Sequence, residues 1–277
     1  MKFISTVPAS QHSKLLIASC VIFANSFIAF SASAGSKTRL AEAETLFKHR
    51  CTNAGERVLR TVKDVEGISL LKVRPPPVLD DYQYRLDDPY GRDAGGVAYI
   101  ESFLKAKFDM YESYRPFRPK YKKIAPQSQF GYYFVDVIDQ DNKRRTRYTG
   151  RVEQPGKTNP KYSFDYFRVV MESSPALEPA PRYAVTYDDI SSPEDRAYWI
   201  AGSSLKIIDL QDGTVIAERI GYLMDKGQGA SGGGRLPWLL AAYNACPAFP
   251  GNHPSGQSGQ TNRFVEKVLV PKRESKQ

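Results

Sequence analysis

Residues Asp195 to Asp225 read DRAYWIAGSSLKIIDLQDGTVIAERIGYLMD, and this stretch decides the fold. Two runs rich in apolar and β-branched residues, 195–210 and 214–225, flank the short polar tripeptide Gln211-Asp212-Gly213. Apolar runs on either side of a short Asp-Gly turn predict an antiparallel hairpin. Ile207, Leu210, Val215, Ala217 and Ile220 are the candidates for its buried face. Side chains alternate along a strand, so these five share a face only if the hairpin carries a bulge.

Working outward, FGYYFVDVID (130–139) and RRTRYTGRVE (144–153) flank QDNK and predict a second hairpin. YSFDYFRVVMES (162–173) and PRYAVTYDDI (181–190) each read as a further strand, and GISLLKV (67–73) as another, ended by Pro75, Pro76 and Pro77. VAYIESFLKAKF fits a short helix through Val97, Ile100, Phe103, Leu104 and Phe108. An amphipathic stripe at Leu40, Ala43, Phe47, Cys51, Ala54, Val58 and Val62 predicts a helix from Gly35 to about Thr61. Ser36 is its expected cap, and Gly55 marks a weak point within it. Pro237 opens a second helix, with Trp238, Leu239, Ala242 and Tyr243 on one side and Cys246 at its end. The expected fold is therefore α+β: an antiparallel β meander with N- and C-terminal helices linked by a disulfide.

The N-terminus bears on the cysteines. Lys2 and Lys14, the apolar run Leu15–Phe30 and the small residues Ala32-Ser33-Ala34 follow the order of a secretory signal peptide, with cleavage expected after Ala34. The apolar run is short for a membrane span. Ile17-Ala18-Ser19-Cys20 looks like a lipid-attachment box, and a membrane-anchored lipoprotein through Cys20 is the alternative; most of the apolar run, however, follows Cys20 instead of preceding it. The expectation is an exported protein, periplasmic or secreted, with residues 1–34 as leader and 35–277 as a single α+β domain. Within that domain, 225–235 and 251–262 read as flexible loops. Cys51 and Cys246 then remain as a pair, which in an oxidising compartment predicts one disulfide, a bridge that stabilises by about 2–4 kcal/mol.

Gly227, Gly229 and Gly232 form a GxGxxG outline. A dinucleotide site needs a parallel βαβ unit around that turn. Here the neighbouring strands look antiparallel, and Phe264–Val270 is the only segment left to supply a second parallel strand. The expected reading is a loop; a variant of it orders over an anionic partner through its backbone N–H groups. His49 and His253 are the only histidines beyond the leader, and no GxSxG elbow accompanies them. Carboxylate pairs occur at Asp80/Asp81, Asp87/Asp88 and Asp188/Asp189, with Glu194 and Asp195 nearby. Asp139 starts a segment like a calcium loop, but Lys143 stands at a ligand position. No catalytic set, cofactor or metal is expected.

The strongest compositional signal is basic and aromatic. The chain carries a formal charge of +9 and 17 tyrosines, which suits contact with an anionic surface. Tyr114, Arg115, Arg118, Lys120, Tyr121, Lys122 and Lys123 form the densest segment, and Lys143, Arg144, Arg145, Arg147 and Arg151 add a second. The expected role is non-catalytic: an envelope binding or accessory protein contacting a protein or an anionic envelope surface. Nucleic acid is not an expected partner, and no membrane span is expected after the leader. Two alternatives stay open: a carboxylate-based envelope hydrolase using loops 80–93 and 188–195, and a secreted inhibitor or immunity-type protein that inserts the 225–235 loop into a cleft.

Overall fold

Gly55 stops the first helix. Residues 37–51 form α1, and Thr52, Asn53 and Ala54 donate backbone N–H groups to the carbonyls of His49, Arg50 and Cys51, all at 3.2 Å. Gly55 then takes φ +147°, a region open essentially to glycine, and the chain turns into strand β1, Gly55–Val58. The helix expected to run to about Thr61 is therefore ten residues shorter, because a tight turn and one glycine outweigh the continuing apolar spacing. The structure, a computed structural model, describes residues 37–76, 93–104, 131–139, 141–163, 166, 168–177, 179–230, 232–249, 257 and 259–273. Ser36, the expected cap, lies outside them. The chain divides into two units, Met1–Leu46, described only as the helical residues 37–46, and Phe47–Gln277, which holds every element after α1.

The remaining strands are β2 (Val62–Val65), β3 (Gly67–Leu70), β4 (Phe134–Ile138), β5 (Arg145–Glu153), β6 (Arg168–Pro175), β7 (Tyr183–Asp189), β8 (Ile200–Asp209), β9 (Thr214–Met224), β10 (Ala245–Cys246) and β11 (Leu269–Pro271). Helices α2 (Val97–Glu101), α3 (Pro193–Ala197), α4 (Pro237–Ala241) and α5 (Gln260–Val268) complete the set. Among the described residues the main sheet runs β1-β9-β8-β7-β3-β4-β5-β6, with β10 also on β9; β11 and β2 form a separate parallel pair.

Most of the sheet is antiparallel, as the hairpins require, but it is not a simple meander. β3 lies at its centre and pairs parallel with both β4 and β7. Its residues Gly67, Ile68, Ser69 and Leu70 are all buried, as suits a strand covered on both faces. Gly67 is required there, because a Cβ would run into the ring of Phe134 on β4. On either side of β3 stands an antiparallel wing, β4-β5-β6 and β7-β8-β9.

The main core joins Ile68 and Leu70 of β3 to Val135, Val185, Ile207 and Ala217 of the sheet, to Tyr99 and Ile100 of α2, and to Phe264, Val265 and Val268 of α5. The Tyr132 hydroxyl donates to the Leu269 carbonyl at 2.6 Å, tying the two sheets through this core. A second cluster gathers Ala201, Leu223, Trp238, Ala241, Ala242 and Phe249.

Both the Cys51–Cys246 bridge and the α+β character are present, with Cα atoms 5.7 Å apart across the bridge. The helix placement differs from expectation. Pro237 does start α4, but that helix is five residues long and passes into a 3-10 turn, Ala242–Asn244. Cys246 sits in strand β10, paired with Tyr222 of β9, so the bridge ties the end of α1 to a short strand instead of to a helix. The last helix is α5. The stretch expected as loop gives way to it at Gln260, and of Phe264–Val270 only Leu269 and Val270 are in a strand. No helix among the described residues is long and apolar enough to cross a membrane.

Candidate functional site

Two strand pairings meet at the tip of the β8–β9 hairpin. Ile207 faces Ala217 and Ile208 faces Val215, so Ile216 is the extra residue of a β-bulge. The bulge needed to share one buried face is therefore present, but it sorts the five candidates differently. Ile207 and Ala217 are buried and Ile220 is half-buried, while Leu210 and Val215 are left at the surface and Ile216 is buried in their place. The Ile216 carbonyl accepts from two backbone donors at the end of β1, Leu59 N–H at 2.9 Å and Arg60 N–H at 3.2 Å.

This junction leaves an exposed apolar corner. Leu59 is 63% exposed, and Val58, Leu210 and Val215 are 37–39% exposed. Single exposed apolar residues are ordinary, whereas adjoining ones, as Leu59 and Val215 are in lining one pocket, mark contact surfaces. Beside them opens a shallow pocket of about 180 Å³, lined by Arg57, Leu59, Lys206, Val215, Ala217 and Glu218. Arg57, Glu218 and Lys206 are cross-strand neighbours on β1, β9 and β8. Lys206 pairs with Asp188 at 3.0 Å, and Glu218 accepts from the Ser204 hydroxyl at 2.6 Å. Arg57 makes no hydrogen bond or ion pair among the described residues. At the corner's rim, buried Asp209 accepts from Arg182, with Nη2 at 2.8 Å, and from Arg60. The Arg182 hydrogen bond is the main cause that holds the Asp209 carboxyl well below the usual carboxylate range.

The glycine loop has a different occupant from the one its outline suggests. Gly227 and Gly229 donate their backbone N–H groups to the Asp225 carboxylate at 3.1 and 2.8 Å, and Arg235 clamps the same carboxylate, Nη1 at 2.9 Å. The donors that a phosphate would use are directed at the chain's own buried Asp225. Gly229, at φ +79°, lies against the Trp199 indole, where a Cβ has no room.

Of the carboxylates singled out in 188–195, Asp188, Asp189 and Asp195 are likewise engaged. Asp189 pairs with Arg196 and accepts from Ser191. Asp195 accepts from Arg50 at 2.8 Å and forms a reciprocal capping box with Ser192 at the start of α3. Asp139 turns onto the N–H groups of Asp141 and Asn142, whose hydrogen bonds lower its pKa. Among the described residues no three His, Cys, Asp or Glu side chains gather as a metal would need. His49 is exposed on α1. In the second basic segment, Arg147 clasps Asp136 with both nitrogens, at 2.7 and 2.9 Å, and Arg145 approaches it at 3.3 Å. Arg151 reaches Glu153 and Glu172, so these three arginines have partners within the sheet.

The segment containing Tyr114, Arg115, Arg118, Lys120, Tyr121, Lys122 and Lys123 lies outside the described residues, as do Cys20, His253 and the pairs Asp80/Asp81 and Asp87/Asp88. The apolar corner was missed as a site by sequence reasoning. Its signal was the awkward spacing of Leu210 and Val215 around the hairpin turn. Comparison of the chain with family models, with curated proteins and with solved structures finds no match.

Proposed function

We propose that the protein is exported and acts by binding, as a non-catalytic accessory of an envelope or secretion-associated assembly. The observation that carries this reading is the open corner at Leu59 and Val215, where apolar side chains stay exposed beside the charged pair of strand neighbours Arg57 and Glu218. The buried carboxylates Asp209, Asp195 and Asp225 offer little to catalysis, since each is held by an arginine and serves the fold. The bridge between Cys51 and Cys246 suits an oxidising compartment, and the leader-like first 34 residues suit export.

The test is crosslinking of the tagged protein in intact cells, followed by fractionation and mass spectrometry. The expected result is a chain lacking residues 1–34, recovered outside the cytoplasm and joined to a specific envelope protein. A cytoplasmic, unprocessed chain with reduced cysteines sinks the export half; an exported chain that forms no crosslink at any surface position sinks the binding half.

A further inference from the structure

We infer that β6 is a self-association edge: two copies of the chain pair antiparallel along it about a two-fold axis at Val170, with Arg168 of each copy opposite Glu172 of the other. This goes beyond the binding reading above and does not rest on it.

The backbone comes first. β6 runs for eight residues beside β5, and no other described strand pairs its outer side. The opposite end of the sheet, β1, offers four residues. Ala176 donates its N–H to the Arg145 carbonyl at 3.0 Å, and the register from Pro175 back to Arg168 is unbroken. Hydrogen-bonding direction alternates along an antiparallel strand, so Arg168, Val170, Glu172 and Ser174 bond to β5. Val169, Met171 and Ser173 then direct their N–H and C=O groups outward. Pro175, which has no N–H to offer, falls on the outward side as well. Such an edge is a template for another strand.

The side chains choose which strand. The charged residues of β6 are Arg168 and Glu172, one of each sign, with side chains 49% and 62% exposed. Beside them on β5, Arg151 pairs with Glu153 and Glu172, and Glu153 also with Arg168. These four charges sum to zero, so the pattern along the edge decides, not a surplus of either sign. Outward groups must meet outward groups, so a symmetric antiparallel pairing is centred on a residue, not between two. Centred on Arg168 or Glu172, it sets like charges opposite each other, which is destabilising. Centred on Val169, Met171 or Ser173, it opposes no charges. Centred on Val170, it sets Arg168 against Glu172 twice over, brings the two Val170 residues face to face, and lets Val169 and Met171 exchange hydrogen bonds in both directions. Each Arg168 then stands between Glu153 of its own chain and Glu172 of the second copy. The pairing is short, so the dimer is expected to be reversible.

The experiment uses the purified protein expressed from the full chain with Cys20→Ser and with the Cys51–Cys246 bridge intact. Sedimentation velocity over rising concentration is expected to show a monomer–dimer equilibrium. Arg168→Glu and Glu172→Arg should each weaken it by about ten-fold, since either variant places like charges at both symmetric contacts. Mixed in equal amounts, the two variants should dimerise with near wild-type affinity, because every contact is then between opposite charges. Misfolded variants would not rescue each other in this way. Oxidation of the thiols introduced by Val170→Cys should link the copies, since facing residues of a non-hydrogen-bonded pair lie about 4.5 Å apart at Cα, within disulfide reach. Thiols introduced by Ser174→Cys, away from the axis, should not link. A chain that stays monomeric overturns the inference, whether another part of itself or nothing covers the edge. So does a dimer that both charge variants leave intact, a mixture that fails to recover, or a Ser174→Cys link that forms as readily as the Val170→Cys one.

Discussion

On one side of β3, eight of the ten residues of β8 are buried, and the strand is flanked by β7 and β9 with an apolar cluster toward each end. On the other side, β6 exposes Glu172, Ser173, Ser174 and Pro175 along an edge that no other described strand pairs. The two wings share an antiparallel backbone plan and differ in what covers them. That difference decides how each spends its charges. In the covered wing Asp209 is buried and held by two arginines. In the open wing Glu153, Arg151, Glu172 and Arg168 form a ladder in water. Asp136, on β4 beside the central strand, follows the rule of the covered wing, buried between Arg145 and Arg147. Burial therefore dictates the pairing more than sequence position does.

The comparison breaks most sharply at the disulfide, which belongs to the covered wing through β10. For a bridge with a sequence separation of 195, the chain-entropy formula sets an upper figure of about 5 kcal/mol, above the usual range of about 2–4 kcal/mol, for the loss on Cys51→Ser with Cys246→Ser, read as a lower urea midpoint. Ile207→Ala follows. Its side chain is fully buried, so the cavity and lost transfer energy should cost about 2–5 kcal/mol by the same measurement. An unchanged midpoint there means the covered wing is less tightly packed than its burial implies.

Asp209→Asn tests the charge rule through pH. The folded-state pKa of Asp209 is lowered, so its contribution is full above the unfolded value of about 3.9 and fades as pH falls through the folded value. Urea midpoints of wild type and variant should differ most at neutral pH and converge in strong acid. A constant gap across that range removes the titration argument. The smallest effect is expected from Glu172→Ala in the open wing. Its side chain is 62% exposed and pairs in water with Arg151, so the midpoint should stay within measuring error. A clear loss there shows that the ladder acts as a network.

Much of this plan was legible beforehand. The β8–β9 and β4–β5 hairpins, strands β6 and β7, α2 and the Cys51–Cys246 bridge follow from alternation, turn residues and cysteine count. Residues 195–197 are an exception: read as the start of the first hairpin strand, they belong to helix α3, which the Ser192 capping box begins. The parallel setting of β3 does not, because a strand buried on both faces has no alternation to reveal its neighbours; GISLL shows only burial. Helix α5 was hidden for another reason. It starts at Gly259 without a local capping side chain, and Asp93 accepts instead from Gly259 N–H at 2.9 Å and from Thr261 N–H at 3.1 Å. No window of neighbouring residues contains that cap. The candidate corner was half legible: Leu210 and Val215 raised the need for a bulge, but that Leu59 and Arg60 would converge on Ile216 is a tertiary fact.

The central position of β3 also has a meaning in time. Ser69 pairs with Ala184 and Gly67 with Phe134, so the middle of the sheet is assembled from parts of the chain made far apart. While the polypeptide emerges N-terminus first, β3 waits for β4 and then for β7. The β8–β9 hairpin closes through near neighbours, while β3 must pay for long loops before its contacts form. Until β7 is delivered, a strand buried along its whole length in the finished fold has at least one raw edge, and the growing chain depends on whatever shields that edge in the interval.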